Sequence, residues 1–289
     1  MMERKTEAIE KRNREKRYQQ FDSGKTNIKH LLGHRLANRI MVKLITIQRI
    51  INKEKLIVIG DKRNKTDRPI IFSPTHIGGM DVEAIFESVG THTWLMLGDP
   101  REMYINISGM MLNINGIIWF DTSYKKDRHI AKKRSIELLK HGENLIIFSE
   151  GAYNISPNRL VMYPYAGTAE IAITTGADII PIGLVRRGRN YYVNIGENIR
   201  VDSYKPEQKY EITELLRDRL ASLCWEILEL LPVTERKSIN RNYYKNVFLK
   251  EMFTQKDYSY TIDDVKKTLY CPKGITGIEF KKGKKIFDL

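Results

Sequence analysis

The sequence predicts an α/β fold, a mainly parallel central sheet flanked by helices, with a basic amphipathic helix at its N-terminal end. Three observations predict it. Short apolar runs recur along the chain, and segments of helical period separate them. One of those runs, Pro69–Pro74, is apolar almost throughout, as a strand buried on both faces is. At 289 residues, 42% of them hydrophobic and 29% charged, the chain is long enough to bury a sizeable core and has the composition of a soluble protein.

The elements follow in order. Met1–Gln20 is polar and charged throughout, and reads as a polar helix or a partly disordered arm. Phe21–Thr26 is a break, with Thr26 or Asn27 placed to cap the next helix. Over Ile28–Asn52, Leu36, Ile40, Leu44, Ile47 and Ile51 fall on one stripe, with Arg35, Arg39, Lys43 and Arg49 largely on the other side. Long basic stems beside an apolar face describe a helix lying in a membrane interface. The same pattern also describes a helix packed on its own domain with a solvated basic face, an alternative that Val42 and Ile50 within the basic arc favour.

Lys55–Gly60 and Pro69–Pro74 read as strands and Val82–Val89 as a helix. A strand over His92–Leu97, a short apolar helix over Tyr104–Leu112 and a strand over Ile117–Phe120 come next. Asp127–His141 is a helix with Ile130, Ser135, Leu138 and Leu139 inward, closed by Gly142. The strand Asn144–Glu150, the helix Ala166–Thr175, the strands Asp178–Val185 and Tyr191–Gly196, and the amphipathic helix Glu211–Leu231 complete the core. The chain divides into a basic helical arm over 1–54, open to membrane association, a catalytic domain over 55–235, and a C-terminal extension over 236–289. In that extension Thr261–Leu269 reads as a helix.

Composition narrows the function. Residues 1–65 hold 18 Lys or Arg against 7 Asp or Glu, most of the chain's net +14, which suits an anionic partner surface. No apolar stretch approaches the roughly 20 residues that a membrane span needs. Cys224 and Cys271 are far apart and the histidines dispersed, so neither a disulfide framework nor a zinc site is expected, and a reducing compartment is. Walker, dinucleotide and nucleophile-elbow motifs are missing, as are nucleic-acid-binding motifs.

The stretch Ile70–Phe86 carries the chemistry. His76 enters a loop with Gly78 and Gly79, and Asp81 follows five residues on at a helix start. The carboxylate can fold back onto one imidazole nitrogen while the other takes a proton from an acceptor hydroxyl. Gly78 and Gly79 let backbone N–H groups approach a developing oxyanion. The spacing alone equally describes an aspartate N-cap beside a surface histidine.

Downstream, Asn144–Asn154 ends a strand in Ser-Glu-Gly, Ile114–Tyr124 lies between, and Gly176–Leu184 is a strand interrupted by Pro181. In order and spacing the four blocks, His76–Asp81, Gly116–Thr122, Phe148–Tyr153 and Ile179–Ile182, resemble the glycerolipid acyltransferase superfamily. That group holds the lysophosphatidic acid and glycerol phosphate acyltransferases, and the resemblance spans about residues 55–235. It implies transfer of a fatty acyl group from a thioester, acyl-CoA or acyl carrier protein, to a hydroxyl of a lysophospholipid, glycerol- or sugar-containing acceptor. It also implies that Glu150 and Gly151 position the acceptor; no cofactor or metal is expected, and the basic N-terminal segment suits a place on the inner face of the cell membrane against anionic lipids. Glu150 read locally is an exposed turn residue.

Three positions depart from the family. Where it has arginine, arginine and lysine, this chain has Thr122, Tyr153 and Tyr165. The departure points to acceptor contacts suited to a sugar or polyol; both tyrosines also fit as packing residues on loops. Arg128, Arg159, Lys125 and Lys126 are the nearby cations that could restore the charge. The alternative function is a non-catalytic lipid- or anion-binding module on a degenerate acyltransferase fold.

Overall fold

The computed structural model describes residues 2–24, 31–156, 158–254 and 258–270. The capping pair Thr26 and Asn27, and Cys271, lie outside the described residues. Seven strands form one sheet: β1 (Lys55–Asp61), β2 (Ile70–Pro74), β3 (Trp94–Gly98), β4 (Ile117–Phe120), β5 (Leu145–Ile147), β6 (Asp178–Arg187) and β7 (Asn190–Ile195). Their order is β1-β7-β6-β2-β5-β3-β4, and every pairing is parallel except β6 with β7. The chain is therefore α/β with a mainly parallel sheet, as the apolar runs predict. The antiparallel pair follows from its connection, because the turn between Arg187 and Asn190 is too short for a crossover.

Helices α1 (Met2–Asp22), α2 (Leu31–Ile51), α3 (Asp81–Val89), α4 (Ile107–Asn115), α5 (Lys125–Lys140), α6 (Gly167–Thr175) and α7 (Lys209–Leu230) cover the sheet. Two short helices, α8 (Leu249–Met252) and α9 (Ile262–Thr268), belong to the C-terminal extension. One core face packs Phe72, Ile85, Leu95, Ile146 and Ile180 under α2 and α3. The other packs Ile71, Leu139, Leu145, Ile179 and Leu216 under α5, α6 and α7. Alternate residues of β2, Ile71 and Phe72, thus enter opposite layers.

The N-terminal helices are tied to this body by buried polar links. Arg17 of α1 donates to both oxygens of Asp127, at 3.0 and 2.5 Å, and also to the Tyr104 hydroxyl. Asn38 of α2 donates to Asn115 at 2.8 Å, and Arg35 to Glu143 at 2.7 Å. Burial opposes ionisation of Glu143, but hydrogen bonds from His92 and Arg35 outweigh it and hold its carboxyl down to about 2. Met41 and Ile45 of α2 are core residues, whereas the stripe of Leu36, Ile40, Leu44, Ile47 and Ile51 faces solvent. The helix is therefore packed on the domain along one face, although Ile50, expected to favour packing, is exposed. The opposite face is apolar and exposed beside Arg39 and Lys43.

Candidate active site

β2 ends at Pro74, and the next seven residues build the centre of the site. Asp81 is the first residue of α3 and is completely buried. Its Oδ2 accepts three N–H groups: His76 Nδ1 at 2.8 Å, Ile77 N at 2.9 Å and Gly78 N at 2.7 Å. These donors precede the helix, so Asp81 closes a loop backwards onto the histidine and does not cap α3. Its Oδ1 is buried and has no hydrogen-bond partner among the described residues. With Nδ1 on the carboxylate, Nε2 is the imidazole nitrogen left to face a cavity of about 930 Å³ that His76 lines.

Glu150 lies inside the protein, not on an exposed turn. Its Oε1 accepts His76 N–H at 2.8 Å and its Oε2 accepts Met162 N–H at 2.7 Å, so it fastens the histidine loop to the end of β5. Burial pushes its carboxyl up to about 8. Both oxygens serve the backbone, which leaves this side chain away from the acceptor contact expected of it. Gly151 has φ +67°, and a Cβ there would meet the Tyr165 ring at 2.6 Å, so a side chain is excluded twice over.

The N–H groups of Gly78 and Gly79 are engaged, contrary to the oxyanion role expected of them. Gly78 donates to Asp81, and Gly79 donates to the Met252 carbonyl at 2.8 Å. The glycines are needed for another reason. Both have positive φ, and α8 lies so close that a Cβ on Gly78 would meet the Met252 carbonyl oxygen at 2.5 Å.

The three departures from the family pattern are brought together around the same cavity. Thr122 donates from its N–H and its hydroxyl to Asp99, at 2.9 Å each. Tyr153 is buried edge-on against His76, ring centroids 4.5 Å apart, and also meets Phe253 and Tyr260. Burial raises its hydroxyl well above the ordinary range. Tyr165 stacks on Tyr270 and donates to the Thr268 carbonyl at 2.5 Å. Both tyrosines are thus packing residues as well as cavity lining. Among the nearby cations, Arg128 lines the cavity and donates to the Thr122 carbonyl, Lys126 pairs with Asp22, and Arg159 stands over the Tyr163 ring.

Sequence reasoning missed Glu10, Asp99, Arg101, Tyr258, Tyr260 and Asp264, all of which line the cavity. Two signals were there to be read: the charged Asp99-Pro100-Arg101 directly after an apolar strand, and the dense tyrosines of Tyr258-Ser259-Tyr260. Among the described residues no cluster of His, Cys, Asp or Glu could hold a metal ion.

His76, held by Asp81 just after a parallel strand, lines the cavity. A family model described as Acyltransferase matches residues 50–185. This match and the two similarities that follow support a relationship to the glycerolipid acyltransferase superfamily. It is 23% identical over 178 residues to the 1-acyl-sn-glycerol-3-phosphate acyltransferase of Borreliella burgdorferi, covering 57% of this chain and 70% of that protein. Its fold is that of the 1-acyl-sn-glycerophosphate (LPA) acyltransferase PlsC of Thermotoga maritima, with a TM-score of 0.55 at 18% identity, over 74% of this chain and 88% of the other.

Proposed function

We propose that the protein transfers a fatty acyl group from a thioester, acyl-CoA or acyl carrier protein, to a hydroxyl of a lipid acceptor that contains glycerol or a sugar. The observation that carries this reading is the 2.8 Å contact between His76 Nδ1 and the buried Asp81, with His76 lining the cavity. In the proposed step the acceptor oxygen attacks the thioester carbonyl while His76 Nε2 takes the hydroxyl proton. The tetrahedral intermediate then expels the thiolate, and the imidazolium returns the proton to that sulfur. The acceptor is itself the nucleophile, so no acyl-enzyme forms. Asp81 holds the tautomer and stabilises the imidazolium, and base catalysis of this kind is worth ~10²–10⁴-fold.

The cavity supports both halves of the substrate pair. Met41, Ile45, Phe86, Leu95, Met103 and Leu112 give it an apolar end beneath α2 and α4, fit for an acyl chain. Above that end, Leu36, Ile40, Leu44 and Ile47 of α2 and Ile107, Met110 and Ile114 of α4 are exposed. The two helices are joined by the Asn38–Asn115 bond and by His34 Nδ1 at 2.6 Å from the Ile114 carbonyl oxygen. Among the described residues no helix is long and apolar enough to cross a membrane. We infer that this apolar face, with Arg39 and Lys43 at its margin, lies in the interface of an anionic membrane, so that lipid substrates reach the cavity from the membrane past these helices.

The test is transfer of a labelled long-chain acyl group from a thioester to a panel of lipid acceptors. His76→Ala is expected to abolish transfer while the melting temperature stays near that of wild type. Wild-type turnover by that variant would refute the mechanism.

A further inference from the structure

The C-terminal extension, which the acyltransferase match does not reach, forms one wall of the cavity. Tyr258, Tyr260, Asp264, Lys267 and Thr268 all line it. The wall is pinned at several points. Tyr258 donates to the Asp99 carbonyl at 2.7 Å, Ser259 Oγ to Glu102 at 2.6 Å, and Tyr165 to the Thr268 carbonyl at 2.5 Å. Arg101 meets Asp264 at 2.7 Å, and Gly79 N–H meets the Met252 carbonyl. Beneath these links Tyr153, Ile155, Met252 and Val265 form a small separate core. The wall is therefore a fixed part of the site.

The polar end that this wall encloses is rich in carboxylates and aromatic rings. Glu10, Asp99 and Asp121 line it together. Burial raises the Glu10 carboxyl, with Asp121 and then Asp99 adding to the effect against Arg101. The cations present are already met: Arg17 by Asp127, Arg101 by Asp264, Lys132 by Glu170 and, more loosely at 3.5 Å, Lys267 by Asp264. Arg128 lies on the Thr122 carbonyl, next to Asp99, which takes both donors of Thr122. Asp121 is paired with Arg14 at 2.9 Å, and among the described residues Arg128 is the one lining cation given a carbonyl in place of a carboxylate, so a phosphomonoester dianion would find a single guanidinium beside Asp99 and Glu10. Hydroxyl groups instead find acceptors in Asp99 and Glu10. The Tyr258–Tyr260 pair, stacked at 5.5 Å with Tyr260 edge-on to Tyr153, offers the apolar surface that the C–H face of a sugar ring needs.

We propose that residues 258–268 select the acceptor, and that the headgroup they admit is neutral and hydroxyl-rich, of the glycosyl or polyol class, not a phosphomonoester. The proposal rests on the acyl-transfer reading for what the bound headgroup is there to do. Its test is a binding measurement on the full chain without any thioester, so that no turnover is involved. Calorimetric titration with n-hexyl β-D-glucoside and with n-hexyl phosphate, both below their aggregation limits, compares two headgroups on the same short tail. The glucoside is expected to bind at least tenfold more tightly. Tyr260→Ala is expected to remove that preference, and Tyr258→Phe, which deletes one hydroxyl and preserves the ring, to weaken it several-fold. Tighter or equal binding of the phosphate overturns the proposal, as does binding of neither probe or an unchanged preference in both variants. A retained glucoside preference without acyl transfer to any lipid upholds the selecting wall and refutes the transferase reading.

Discussion

Replacing Asp81 by asparagine separates the charge of this residue from its shape. The asparagine carbonyl oxygen keeps the three N–H donors of His76, Ile77 and Gly78, because the turned amide would aim N–H groups at N–H groups. Its NH₂ then takes the place of Oδ1, which is buried without a partner, and an unsatisfied donor there costs about 1–3 kcal/mol of stability. What disappears is a negative charge 2.8 Å from the imidazole when the ring becomes imidazolium. At an effective dielectric constant of about 20, a pair at that distance is worth roughly 6 kcal/mol. The histidine side chain is 12% exposed, and solvent that reaches it reduces the figure, so about 3–5 kcal/mol is the working range. That range corresponds to a fall in kcat of roughly 10²–10⁴-fold, with KM changed little because the cavity keeps its shape. Steady-state transfer at saturating acceptor and thioester, beside a thermal melt of each protein, measures both parts. Asp81→Ala strands the loop N–H groups as well and should melt lower than Asp81→Asn. Turnover by Asp81→Asn within about threefold of wild type would refute the idea that the carboxylate charge serves the imidazolium.

Other consequences are open to direct measurement. Leu36→Ser, Ile40→Ser and Leu44→Ser together remove half-exposed side chains worth about 1 kcal/mol each on membrane insertion, so partition onto anionic liposomes should drop roughly 10²-fold with the fold intact; unchanged partition would assign the membrane face elsewhere. Deleting residues 1–54 is a poorer test, since it also removes Met41 and Ile45 from the core and should lower stability sharply. Burial raises the Glu83 carboxyl to about 7 and that of Glu150 to about 8, above their unfolded values near 4.5. The folded state thus binds more protons across that window, and stability should fall as pH rises from about 4.5 towards 8. Melting temperatures at pH 5 and pH 8 check the sign, and a protein more stable at pH 8 would contradict it. Tyr165→Phe loses the bond to the Thr268 carbonyl and should cost about 0.5–1.5 kcal/mol, seen as a drop of a few degrees in melting temperature.

The strands were legible because each is a short apolar run, and Ile117–Phe120 matches β4 residue for residue. Helix α5 was legible from its buried side, where Ile130, Ser135, Leu138 and Leu139 are all enclosed. The His76–Asp81 contact could be read because both partners sit within one turn of chain. Glu150 could not, since its burial depends on the N–H groups of His76 and Met162, which local sequence does not bring to it. Gly79 misled for a similar reason: the carbonyl that occupies its N–H comes from Met252, far along the chain. The exposed stripe of α2 and its buried stripe are both apolar, so periodicity alone could not choose between membrane and core.

Arg101 links the first and last described helices. Its backbone N–H serves Glu10 of α1, and its guanidinium holds Asp264 of α9. The cavity is consequently bounded by residues from the first and last described helices, with the sheet between them. During synthesis His76, Asp81 and the whole sheet emerge well before the tail that closes the polar end. A ribosome must therefore release the chain through residue 268 before the polar end of the cavity is closed, and a product truncated after α7 would carry the proposed base without the wall that we propose chooses what it acts on.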